Sequence, residues 1–76
     1  GYKREKDLVG RAAAEWVCDG EVIFLDGGTT TQSMVPYLLD RKNLTVVTCG
    51  LNIACALSHS PHVSTIVVGG ELHVQT

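Results

Sequence analysis

Apolar residues fall along the chain in two kinds of block, some at helical spacing and some as short unbroken runs. Leu8, Val9, Ala12, Ala13, Trp16 and Val17 recur at i, i+1, i+4, i+5, i+8 and i+9, which predicts one face of a helix from about residue 5 to residue 18. Asp19-Gly20 ends it, and Trp16 is read as core. Val22-Ile23-Phe24-Leu25 lacks period-2 alternation, so it suits a strand covered on both faces, as in a parallel sheet between helical layers. Met34, Val35, Leu38 and Leu39 mark a second helix, roughly Thr30 to Leu39. Pro36 lies beyond its first turn and predicts a kink or a short 3₁₀ start. Asp40-Arg41-Lys42-Asn43 is a polar turn, and the β-branched run Leu44 to Thr48 predicts a second strand. Gly50 opens a third helix in which Ile53, Ala54 and Leu57 share a face. Ser58-His59-Ser60-Pro61-His62 breaks that helix, and Val63 to Val68 predicts a third strand.

Helix, strand, helix, strand, helix, strand with short connections calls for an α/β fold of parallel βαβ units. Parallel strands share a direction, so the loops after their carboxyl ends line one edge of the sheet. Those loops are Asp26 to Thr30, Thr48 to Gly50, and Gly69 to Glu71, all rich in glycine, hydroxyl or carboxylate. Ligands of open α/β sheets bind in a crevice at that edge.

The chemistry concentrates in Asp26-Gly27-Gly28-Thr29-Thr30-Thr31. Glycines there can take φ > 0 and let a ligand approach the backbone, and Thr29 or Thr30 can cap the following helix. Unpaired N–H groups and hydroxyls at a helix start favour an anion, which reads as a phosphate cradle. A capped turn without ligand fits the spacing equally well. The segment matches neither the G-x-G-x-x-G dinucleotide pattern nor a nucleotide loop ending in Gly-Lys-Ser/Thr, which disfavours a nucleoside triphosphate. Asp26 repels phosphate, so its place is against sugar hydroxyls or the turn's own N–H groups. Gly69-Gly70-Glu71 offers N–H groups and a carboxylate to the same ligand, although such a pair of glycines is most often only a turn. Cys49 lies at the same edge and by default is an inert small residue.

Composition narrows the class. The chain has 76 residues, 45% of them hydrophobic, which excludes a disordered tail, and no apolar run approaches the roughly 18 residues of a membrane span. A chain this short buries only about 60–65% of its unfolded surface, so its independent stability is expected to be marginal. It begins with Gly1, not Met, and is expected to be a processed or excised piece of a soluble, cytoplasmic protein. A formal net charge of −2 provides no electrostatic footprint for nucleic acid. Four of the cations, Lys3, Arg4, Lys6 and Arg11, sit near the start and read as a solvated helix end. Cys18, Cys49 and Cys55 have no C-x-x-C spacing, and His59, His62 and His73 read as solvated. No metal, disulfide or cofactor is expected.

Gly10-Arg11-Ala12-Ala13-Ala14, Ile23 to Thr31, Asn43 to Thr48, Leu51-Asn52-Ile53-Ala54 and Val68-Gly69-Gly70-Glu71-Leu72 together resemble the effector-sensing domain of DeoR-type bacterial transcriptional regulators. The resemblance spans nearly the whole chain and implies a three-layer domain with the ribose-5-phosphate isomerase/CoA-transferase-like fold, of which residues 1–76 are the first half. It implies a repressor of sugar metabolism genes that binds a phosphorylated sugar or related metabolite and, when intact, a homo-oligomer. Operator DNA would be bound only by an N-terminal helix-turn-helix outside this chain. By position, Gly28, Thr29 and Thr30 would hold the phosphate with Gly27 and Thr31 beside them, Asp26 would face the sugar or brace the loop, and Thr48, Cys49, Gly50, Gly69, Gly70 and Glu71 would complete the crevice. Where the family usually has Asn followed by Ser or Gly after the second strand, this chain has Cys49-Gly50, so an amide is missing there. No residue is assigned a catalytic role. An isomerase-like enzyme on the same fold is the alternative, but Asp26 and Glu71 are the only carboxylates at the edge and no lysine accompanies them. A purely structural dimerisation piece is a third reading.

Overall fold

A computed structural model describes residues 2–69, with side chains from residue 4. Its elements are α1 (Tyr2–Ala14), β1 (Val22–Leu25), α2 (Thr29–Met34), a 3₁₀ turn (Val35–Tyr37), β2 (Leu44–Thr48), α3 (Leu51–Leu57) and β3 (Val63–Val67). The three strands form one parallel sheet in the order β1-β2-β3, with Leu25 beside Thr48 and Thr48 beside Val67 at its carboxyl edge. Val68 extends this pairing, its N–H donating to Thr48 O at 2.9 Å. The 3₁₀ turn falls at Pro36, because proline has no N–H to continue the α-helical ladder and its ring crowds the preceding turn.

One face of the sheet is covered. Leu25, Leu44, Val46 and Val63 point into it and meet Met34, Val35 and Leu38 from α2 and its 3₁₀ extension, and Ile53 and Leu57 from α3. Alternation along the strands sends Val22, Phe24, Val47 and Ile66 to the other face, where Val22 is 71% exposed and Phe24 56%. Among the described residues, the strand β1, expected to be covered on both faces, is therefore covered on one. On the covered side, the hydroxyl of Thr65 is buried without a hydrogen-bond partner among the described residues.

Helix α1 lies against α2. Gly10 makes this possible: a Cβ there would overlap the side chain of Ser33 and come within 2.6 Å of its carbonyl carbon and oxygen. The buried face is consequently Gly10 and Ala14 with Lys6, Ala13 and Val17 partly covered. Two apolar stripes wind along this segment, and the close approach through Gly10 selects the one with the smaller residues. Leu8 and Val9 are 54% exposed and Trp16 is 86% exposed, so the reading of Trp16 as core is corrected. The helix also ends earlier than expected, at Ala14, where Trp16 N–H bonds to Ala13 O and Val17 N–H to Ala14 O, a 3₁₀ tightening that closes the last turn.

The amino edge of the sheet is fastened by Arg41, whose guanidinium donates to Val17 O at 2.9 Å and to Ala14 O at 3.2 Å, the latter a second bond beside the one from Val17 N–H. Lys42 N–H donates to Asp19 Oδ1, and Gly20 N–H to Lys42 O. Among the described residues, those with left-handed backbone, Gly20 at φ +81° and Asn43 at φ +55°, both belong to this edge.

Candidate functional site

At the carboxyl edge, the loop after β1 is wound tightly on itself. Asp26 Oδ1 accepts from Gly28 N–H at 2.9 Å and lies 3.0 Å from Thr31 Oγ1, which also stands 2.8 Å from Asp26 O and 2.7 Å from Gly28 O. Of the two places left open for Asp26, the structure shows the turn's own N–H. The bond from Gly28, with that of Thr31 second, holds the carboxyl below its ordinary value of 3.8. Asp26 is thus ionised throughout the neutral range, and these bonds are lost only as pH falls below the ordinary value through the lowered one.

Two details of the cradle differ from expectation. Gly28 is the residue that precedes α2, with φ −69° and ψ 162°, so it needs no left-handed backbone, and neither Thr29 nor Thr30 caps the helix with its side chain. The first helical bond is Gln32 N–H to Gly28 O at 2.9 Å. The N–H of Gly28 is committed to Asp26 and the hydroxyl of Thr31 to the loop. The outward-facing donors are then the N–H groups of the first helical turn and the hydroxyls of the exposed Thr29 and Thr30.

The loop after β2 abuts this one. A Cβ on Gly50 would lie 2.9 Å from Gly27 Cα, and one on Gly27 would lie 3.6 Å from Gly50 Cα, so the two backbones meet with no side chain between them. Thr48 is fully buried and its hydroxyl accepts from Gly50 N–H at 3.0 Å, bracing this second loop. Cys49 is exposed. Gly69, exposed, follows β3 on the same edge, whereas Gly70 and Glu71 lie outside the described residues.

Two residues that the sequence reading did not assign to the site reach it. Asn52 carries its Oδ1 over the junction, where a Cβ would stand 2.9 Å away if placed on Gly50 and 3.5 Å away if placed on Gly27. An amide is therefore present at this edge although Cys49 supplies none. Lys6, read as part of a solvated helix end, instead donates from Nζ to Thr29 Oγ1 at 3.3 Å and is partly buried. No sequence spacing signals this contact, because it arises from the packing of α1 beside α2. A groove of about 330 Å³ opens between these helices, lined by Lys6, Asp7, Thr29, Gln32, Ser33 and Pro36. Asp7 accepts from the Tyr37 hydroxyl at 2.8 and 2.9 Å, and this bond, ahead of burial and the carboxylate's charge, raises the phenol above its ordinary value. Among the described residues, no three His, Cys, Asp or Glu side chains gather as a metal site would require.

A parallel sheet whose carboxyl edge gathers glycines and hydroxyls has the arrangement at which open α/β sheets commonly take their ligands. The sequence profile described as DeoR C terminal sensor domain matches residues 2–76, and the chain belongs to that family. It is 38% identical over 68 residues to the glycerol-3-phosphate regulon repressor of Escherichia coli (strain K12), covering 90% of this chain and 27% of that protein. It is 31% identical over 75 residues to the HTH-type transcriptional regulator IolR of Bacillus subtilis (strain 168), covering 99% of this chain and 30% of the relative. For the HTH-type transcriptional repressor GlcR of the same organism, the identity is 35% over 68 residues, 90% of this chain and 26% of the relative. The chain thus spans under a third of the length of these relatives.

Proposed function

We propose that this segment is the ligand-sensing part of a DeoR-type transcriptional regulator, in which a phosphorylated sugar or related metabolite binds at the carboxyl edge of the sheet and changes DNA binding by a separate domain. Family membership supports the regulatory role, as do relatives named as repressors and regulators. The observation that carries the choice of an anionic ligand is the state of Asp26: its charge is drawn back onto Gly28 N–H and Thr31, leaving Thr29 and Thr30 outermost with Lys6 against Thr29. The mouth therefore presents donors and a cation, which suits a phosphate ester. One relative's name refers to such an ester, glycerol 3-phosphate. The intact regulator is expected to be a cytoplasmic homo-oligomer. No described helix is long and apolar enough to cross a membrane.

The test is a calorimetric titration of the full-length regulator with pentose and hexose phosphates and glycerol 3-phosphate, each beside its unphosphorylated parent. At least one ester should bind more tightly than its parent by about tenfold or more, the worth of a charge-assisted hydrogen bond. Equal affinity for every pair would overturn the reading.

A further inference from the structure

Resting on that reading of the site, we infer that Lys6 and the groove between α1 and α2 are part of it, with Lys6 the residue that makes the regulator prefer a phosphate ester over the free sugar. Lys6 is the described cation placed at the cradle, with its Nζ on Thr29 Oγ1. A hydroxyl that accepts from an ammonium must turn its own hydrogen elsewhere, so Thr29 is left to donate outward into the space both residues line. An anion there meets the ammonium and the hydroxyl together. The partial burial of Lys6 keeps its stem along the groove wall, which limits the freedom lost when ligand arrives.

The groove has the right capacity and a second polar end. Its volume of about 330 Å³ is at the small end of the range for ligand sites and suits a small metabolite. Asp7 lies on the same lining, its carboxylate held by the Tyr37 hydroxyl. A carboxylate opposes a second anion and accepts from hydroxyl groups. The pair of Lys6 and Asp7 therefore selects a compound that carries one anionic group and free hydroxyls, and selects against a dicarboxylate or a diphosphate.

The experiment uses the full-length regulator, the same panel of phosphate esters and parent sugars, and the variants Lys6→Met, Lys6→Gln and Lys6→Arg. The readout is the ratio of the two affinities for each ester and its parent, measured on one preparation so that a partly folded fraction cancels. In Lys6→Met and Lys6→Gln the preference for the ester should fall about tenfold, with a flatter dependence on salt, while Lys6→Arg retains most of it. If wild type shows a preference and both neutral variants keep it, this inference is wrong and the phosphate reading stands. If wild type shows no preference for any ester, both fall.

Discussion

The glycines of the site differ in what they permit, and the difference is measurable one residue at a time. At Gly50 an added Cβ would stand 2.9 Å from the backbone of Gly27, so either loop must move; at Gly28 it would stand 3.0 Å from the Asp26 carboxylate, a side-chain oxygen that can yield by a few tenths of an ångström. Gly28 also has an ordinary backbone conformation that alanine adopts without strain. Gly50→Ala is therefore expected to destabilise the domain by about 1–3 kcal/mol, the usual cost of forced overlap, and Gly28→Ala by less than about 1 kcal/mol. Urea unfolding of the full-length protein and both variants gives the comparison; equal losses would show that the Gly27–Gly50 contact constrains nothing.

Among the elements, the ones set by local chemistry are those legible in the sequence. Leu44 to Thr48 is a strand as its β-branched run predicts, the 3₁₀ turn falls at Pro36, and α3 follows directly on Gly50. The clustering of glycines and hydroxyls on one sheet edge was legible too, because strand direction alone decides where those loops go. Helix α1 is legible but its packed face is not, because its sequence carries two apolar stripes and periodicity does not say which one packs. The decision is tertiary, made by Gly10 against Ser33, and it puts Trp16 outside and Lys6 beside Thr29. Gly10→Ala tests this. Alanine favours a helix over glycine by about 1 kcal/mol, yet its methyl would sit 2.6 Å from Ser33 backbone atoms. Overlap with backbone costs more than the propensity returns, so the variant should lose about 1–2 kcal/mol net. A gain in the urea midpoint would mean that α1 and α2 can separate freely.

For the molecule as a whole, the uncovered sheet face dominates behaviour. Register aligns Phe24, Val47 and Ile66 in one apolar row across all three strands, and Val22 extends it. Contiguous apolar surface of this kind drives association, and both outer strands have a free edge among the described residues. The 76-residue chain produced by itself is expected to self-associate at micromolar concentrations and to melt without the cooperativity of a complete small domain. Sedimentation velocity checks this, and Phe24→Glu with Ile66→Glu should shift the distribution toward monomer. A monodisperse monomer with a sharp melt near 60 °C, usual for complete small domains, would contradict it.

The order of strands in the sheet is also their order along the chain, β1 beside β2 and β2 beside β3. In kinetic terms this is the least demanding way to assemble a parallel sheet, since each pairing closes a single helical crossover and neither waits for a distant segment to arrive. As the polypeptide leaves the ribosome, β1 can be joined by β2 and then by β3 in turn, and the loops that form the ligand edge come together in the same sequence.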